Sequence, residues 1–290
     1  MAHTTPQNAA ADLTSPMAVT DDDLRAPGGD DRMHEECGVF GVWGVTDAAA
    51  VTALGLHALQ HRGQEATGIV SYDGARFHIH RGLGLVGDNF GQAKVIAGLP
   101  GMNAVGHNRY ATTGETIIRN VQPLYADFAF GGFAVAHNGN LTNANALHHQ
   151  LVRRGCLFQS TTDSEVFIHL IAISLYSTVV DRLIDALKQV VGAYSLVALS
   201  NEALIGVRDP LGVRPLILGR IGNSGTGGWV LASETCALDI VGADFVRDVD
   251  PGEIVMIDDR GVHSIKPWGA CASRFCVFEY VSFARPDSVM

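Results

Sequence analysis

The sequence has 290 residues, 47% of them hydrophobic, enough for one sizeable core or two modest ones. Its formal charge of −10 lacks the basic footprint of a nucleic-acid binder and offers no polybasic patch to an anionic membrane. The five cysteines, odd in number and scattered, fit a reduced cytoplasmic protein better than a disulfide scaffold.

Residues 1–36 are rich in Ala, Asp, Thr and Pro, with an acidic knot at Asp21, Asp22 and Asp23. They hold too little apolar surface to offset chain entropy, so disorder is expected. They contain no apolar h-region, so they do not read as a secretory signal. At Cys37 the pattern changes abruptly. Residues 37–44 (CGVFGVWG) read as a buried strand. Thr46 or Asp47 can then cap a helix with an apolar stripe of Val51, Leu54, Ala58 and Leu59, ending near Gly63.

Short strands are expected at 66–72, 75–81, 103–110, 124–130 and 132–137, and helices at 143–153, 164–176 and 181–191. The apolar run from Val166 to Val180 contains His169 and is too short to span a bilayer. From Ala193 to Lys266 short apolar runs alternate with turn residues, which favours antiparallel sheet over βαβ crossovers. Helices between sheet-rich halves suggest stacked sheets with outer helices, an α+β arrangement. There is no internal repeat.

Two apparent motifs fail on context. Residues 82–87 (GLGLVG) match the dinucleotide fingerprint, but no long amphipathic helix follows and no acidic residue stands about 20 positions on. A turn is the better reading. His57 and His61 have helical i, i+4 spacing without the glutamate of a zinc protease motif, so ordinary hydrogen-bonded histidines suffice.

Four polar segments each close an apolar run where a strand or helix meets a loop: residues 60–64 (QHRGQ), 106–110 (GHNRY), 136–141 (AHNGNL) and 161–165 (TTDSE). Singly they read as turns or caps; Asn138-Gly139 alone is a hairpin turn and Asp163 alone an N-cap. Their order, together with the abrupt Cys37 strand, resembles the class II glutamine amidotransferases, and within them the amidophosphoribosyltransferase family. Residues 35–41 (EECGVFG) resemble that family's propeptide junction. Residues 231–237 (LASETCA), 278–280 (FEY) and 283–288 (FARPDS) are more particular to this family than to the wider class. The resemblance runs from Cys37 to the last residue. Asn108, Thr113 and Leu211 depart from the family's commoner residues.

The resemblance implies an N-terminal-nucleophile hydrolase fold, an αββα sandwich of two antiparallel sheets between helical layers. It implies a disordered propeptide at 1–36, a glutaminase domain at 37–270 and the start of a truncated phosphoribosyltransferase domain at 271–290. Cys37 would be the nucleophile, with Asn138 and the Gly139 backbone N–H as the oxyanion hole. Arg109 would pair with the α-carboxylate of glutamine, Asp163 with its α-ammonium, and Thr112 would add a contact. If Cys37 is the first residue, its α-amine, with a pKa near ~8, can act as the base, which a peptide nitrogen cannot.

Arg62 reads either as an ion pair holding a loop or as a catalytic group. Cys156, Cys236 and Cys271 read as small core residues. The glutaminase step needs no cofactor. A [4Fe–4S] cluster, with Cys276 as a candidate ligand, and Mg²⁺ belong on this resemblance to the full-length enzyme, as do 5-phosphoribosyl 1-diphosphate as acceptor and a homo-oligomeric state. Two rival readings remain at this level: a glutaminase serving a sugar phosphate or aspartate acceptor, and a catalytically dead regulatory module.

Overall fold

The computed structural model describes residues 37–110, 116–222, 227–269, 274 and 276–289. The expected disordered propeptide, Thr112, Thr113 and Cys271 lie outside them.

The first half runs β1 (Gly38–Trp43), α1 (Ala48–Ala58), β2 (Ala66–Tyr72), β3 (Phe77–Leu83), two short helices α2 (Val86–Phe90) and α3 (Ala93–Ala97), β4 (Asn103–Arg109), β5 (Leu124–Phe128) and β6 (Gly131–Leu141). Three helices follow: α4 (Ala144–Arg153), α5 (Glu165–Ile173) and α6 (Val179–Leu187). The second half is β7 (Gly192–Ser200), β8 (Leu204–Arg208), β9 (Ile217–Ile221), β10 (Gly228–Ala232), α7 (Cys236–Val241), β11 (Ala243–Asp248), β12 (Ile254–Asp258) and β13 (Gly261–Ile265). A single π-helical turn at Glu279–Phe283 lies near the end.

Among the described residues the strands form two antiparallel sheets, ordered β11-β9-β10-β1-β4-β2-β3 and β13-β12-β8-β7-β6-β5. Three apolar layers hold them. One core joins β1 through Phe40 and Val42 to α1, α2 and α7. Another joins β6 through Phe133 and Val135 to α4, α5 and α6. The third lies between the sheets and mixes Val39, Val105, Ala136, Val197, Leu204 and Leu231. This is the expected αββα sandwich, with β1 and β6 inside their sheets.

Several local expectations need correction. In α1 the buried residues are Ala48, Ala49, Thr52, Gly55, Leu56 and Ala58; of the expected stripe Ala58 and Leu59 are buried, Val51 is half-buried and Leu54 is 48% exposed. The helix packs through its small side: a Cβ at Gly55 would lie 2.4 Å from the Phe40 ring. Leu54 lines a shallow apolar groove with Ala50, Phe90 and Ile96. Asp47 precedes α1 in a left-handed conformation and makes no side-chain cap. Asn138-Gly139 is no turn but lies within β6. Asp163 is one residue outside the N-cap of α5, which is Ser164. The 82–87 segment is indeed a turn, with Gly84 at φ 88°, leading into the five-residue α2.

Candidate active site

Side chains alternate across a strand, and this decides which of them enter the space between the sheets. Cys37 keeps step with Val39, His107 and Arg109 with Val105, Asn138 with Ala136, and Ser195 with Val197, all on the intersheet face. Gly38 pairs with Asn108, so Cys37 lies beside the Arg109 end of β4. Asn138 pairs with Ser195 across β6 and β7. The two sheets are stitched at this level, where His107 Nε2 meets the His137 carbonyl at 3.1 Å. Five polar or reactive side chains are thereby collected at one end of the intersheet layer.

Cys37 is 8% exposed. Its thiol donates to the Tyr110 carbonyl at 3.4 Å, and its own carbonyl accepts from Arg62 Nε at 3.1 Å. Arg109 is 3% exposed and donates from Nη1 to the Asn120 carbonyl at 3.3 Å. Gly63 lies against it: a Cβ there would be 2.6 Å from the Arg109 carbonyl carbon. The departure at Asn108 is accommodated locally. Its Nδ2 donates to the Leu56 carbonyl at 2.7 Å and its Oδ1 accepts from Thr67 Oγ1 at 3.0 Å, so the buried amide ties β4 to α1 and β2.

Asn138 is fully buried, and neither its Nδ2 nor its Oδ1 has a hydrogen-bond partner among the described residues. A buried amide left so carries a desolvation cost, so its donors are available to a ligand in a dry setting. Gly139 has φ 131°, and a Cβ on it would meet the Ala193 carbonyl oxygen at 2.0 Å. Only glycine fits that backbone.

Asp163 is anchored by its carboxylate. One oxygen accepts from the Leu141 backbone N–H at 2.9 Å, and the other lies 3.7 Å from His137 Nδ1. His137 Nδ1 also meets Ser164 Oγ at 2.9 Å, and Gln122 bridges by donating to Ser164 at 3.1 Å and accepting from the His137 N–H at 2.8 Å. Burial holds both imidazoles below the usual histidine range. His107 is pushed down to about 3, with the Arg109 charge adding to the burial. This network was not read from the sequence, although His107 and His137 stood in the quoted segments.

Arg62 is 1% exposed and joins Cys37 to two distant segments. Its guanidinium bonds Glu234 at 2.5 Å and both oxygens of Glu279 at 3.0 Å. Burial alone would lower its pKa, but the Glu279 and Glu234 carboxylates outweigh that and raise it. Glu234 in turn holds His61, the Arg285 N–H and the Ser288 hydroxyl, and Glu279 holds Arg214. The ion-pair reading of Arg62 is the one the geometry supports. The 231–237 and 278–288 segments, quoted above without roles, converge on it.

Cys37, Cys156, Cys236 and Cys276 are free thiols. Cys236 is buried, as expected, and burial raises its pKa to about 11; Cys156 is half-buried against the α4–α6 core. Among the described residues no group of three His, Cys, Asp or Glu side chains could hold a metal ion. A single Cys276 does not make a cluster site.

Residues 107–239 match the glutamine amidotransferase domain family. The chain is 52% identical over 276 residues to an amidophosphoribosyltransferase of Rhizobium etli, covering 93% of this chain and 54% of that protein. Among solved structures it resembles the allosteric regulatory enzyme of purine biosynthesis, with TM-score 0.83 and 43% identity, covering 88% of this chain and 54% of that one. It also resembles the glutamine phosphoribosylpyrophosphate amidotransferase of B. subtilis complexed with ADP and GMP, with TM-score 0.82 and 42% identity, covering 87% of this chain and 54% of that one. The chain thus spans about half the length of the curated relatives it matches.

Proposed function

We propose that this chain, a glutamine amidotransferase domain of the amidophosphoribosyltransferase type, hydrolyses the side-chain amide of glutamine with Cys37 as nucleophile. The Cys37 thiolate attacks the amide carbon, and the carbonyl oxygen becomes an oxyanion. Asn138 Nδ2 and the Gly139 N–H stabilise that oxyanion. The tetrahedral adduct collapses, the C–N bond breaks, and the base hands the proton it took from the thiol to the leaving nitrogen, which departs as ammonia. Water then hydrolyses the thioester to glutamate and restores Cys37. Arg109 suits a bidentate pair with the α-carboxylate, and Asp163 suits the α-ammonium, so a free amino acid is chosen over a peptide.

The observation that carries this reading is Asn138: a buried amide without a partner, on the face it shares with Cys37. Thr112 is assigned a further substrate contact on the resemblance alone. The α-amine of Cys37 serves as base after removal of residues 1–36. In the complete protein the ammonia reaches 5-phosphoribosyl 1-diphosphate and gives phosphoribosylamine, at an acceptor site formed by a phosphoribosyltransferase domain that begins near residue 271. A cytoplasmic homo-oligomer is the setting proposed for it. The described residues do not by themselves fit a [4Fe–4S] cluster, and no step here runs through one.

The test is a glutaminase assay with mass-spectrometric labelling. A glutamine-derived electrophile should modify Cys37 alone, and Cys37→Ala should abolish both labelling and glutamate release. Glutamate release by the Cys37→Ala protein would overturn the assignment.

A further inference from the structure

Asn138 can serve an oxyanion only with its Nδ2 end, since Oδ1 accepts and would repel developing negative charge. Burial does not choose between the two ends, because both are without partners among the described residues. A third buried orphan stands next to them. Ser195 is fully buried, and its hydroxyl also lacks a partner there. It is the residue directly opposite Asn138 in the β6–β7 ladder. Directly opposed residues on one sheet face have Cβ atoms about 5 Å apart, within reach of a serine hydroxyl and an asparagine amide. Both side chains lie on the intersheet face, away from Tyr194 and Leu196, which belong to the helix-side core.

We infer that Ser195 is a positioning residue: its hydroxyl donates to Asn138 Oδ1 and so commits Nδ2 to the oxyanion. The inference rests on the proposed glutaminase chemistry. A bond between the two side chains would satisfy two costly orphans at once. Ser195 would touch neither substrate nor sulfur. Its effect would pass wholly through Asn138 and would grow as charge develops on the oxygen.

The experiment is a double-mutant cycle in the glutaminase assay on the purified protein. Ser195→Ala should lower kcat by about three- to tenfold, the scale of one neutral hydrogen bond, and leave KM within about twofold. In an Asn138→Ala background the same change should have no further effect on kcat. An unchanged kcat in Ser195→Ala, or an equal loss in both backgrounds, overturns the inference. A crystal structure gives a second readout that needs no activity. Ser195 Oγ within about 3.2 Å of Asn138 Oδ1 is expected, and a separation beyond about 4 Å overturns the inference. A parent protein that releases no glutamate would count against the proposed function, while the crystallographic distance would still decide this one.

Discussion

Arg62 Nε donates to the Cys37 carbonyl at 3.1 Å while the rest of the guanidinium is shared by Glu234 and Glu279. The backbone position of the proposed nucleophile is therefore set from the 231–237 and 278–288 segments as well as from its own sheet. Arg62→Ala would leave buried Glu279 with Arg214 and buried Glu234 with only His61 beside it, at a cost of up to about 3–5 kcal/mol. Arg62→Lys keeps the charge but loses the planar fork that serves three acceptors at once. It should fold with a smaller loss of stability and show kcat lowered on the order of tenfold, the scale of one charge-assisted bond. Urea unfolding and glutaminase kinetics on both variants separate the two effects. Equal kcat in Arg62→Lys and wild type would show that the Cys37 carbonyl contact does not bear on activity.

Gly139 and Gly74 offer a controlled comparison. Both have positive φ, 131° and 95°, but a Cβ at Gly139 would strike the Ala193 carbonyl at 2.0 Å whereas Gly74 faces open space. Gly74→Ala should cost only backbone strain, about 1–3 kcal/mol, with activity retained. Gly139→Ala must also push β6 away from β7, so it should cost more and abolish glutamate release. Thermal melts and the glutaminase assay check this. A Gly139→Ala protein as stable and active as Gly74→Ala would contradict the geometry.

Much of this was legible in the sequence, and the failures have physical reasons. The β2 and β4 boundaries could be read almost to the residue, because apolar runs there end in turn residues or at charged positions. In the α1 stripe Ala58 and Leu59 are buried as expected and Leu54 is not, because the helix also turns Thr52, Gly55 and Leu56 inward, with Gly55 against the Phe40 ring; side-chain size is a poor guide where helix and sheet approach closely. The six-residue α7 is too short to show a period. Asn138-Gly139 looked like a turn because local propensity knows nothing of the strand that continues past it. Cys37, Asn138 and Arg109 could be named as candidates from the family resemblance, and Ser164 stood in the quoted 161–165 segment, but Ser195 and Gln122 sit in unremarkable surroundings. Only the β6–β7 register and the contacts across the sheets single them out.

His107 makes stability depend on pH in a definite direction. Its folded pKa is about 3, below the ordinary 6.5, because burial and the Arg109 charge disfavour the imidazolium. Its contribution is fully present above pH 6.5, where both states are neutral. It is lost as pH falls from 6.5 toward 3, because only the unfolded state takes up the proton. The slope approaches about 1.4 kcal/mol per pH unit for one such group. His137 is shifted the same way and adds to it. His107→Gln should flatten the dependence between pH 6 and 4 by about one proton, read by urea unfolding at several pH values. An unchanged slope would mean that His107 is protonated in the folded protein.

Asn138 and Asp163 should fail differently. Asp163→Ala removes the proposed partner of the substrate α-ammonium and should chiefly raise KM for glutamine. Asn138→Ala removes the proposed oxyanion donor, whose bond would strengthen as the oxyanion forms, and should lower kcat on the order of a hundredfold with KM little changed. Steady-state kinetics decide. A raised KM with intact kcat in Asn138→Ala would remove Asn138 from the oxyanion hole.

The final prediction concerns the N-terminus. The Cys37 thiol donates to the Tyr110 carbonyl at 3.4 Å. Attack on an amide needs a thiolate and a group that can return a proton to the leaving nitrogen. A free α-amine on Cys37, with a pKa near ~8, is partly neutral at pH 7 and can serve both ends of that transfer; a peptide nitrogen can serve neither. Active protein should therefore begin at Cys37, as N-terminal sequencing and intact mass would show. Protein that still begins at Met1 should release no glutamate. Acetylation of the α-amine separates base from nucleophile: the Cys37 thiol should remain open to slow alkylation while glutamate release is lost. Full activity in protein starting at Met1, or in the acetylated protein, would show that the proton is handled by another group.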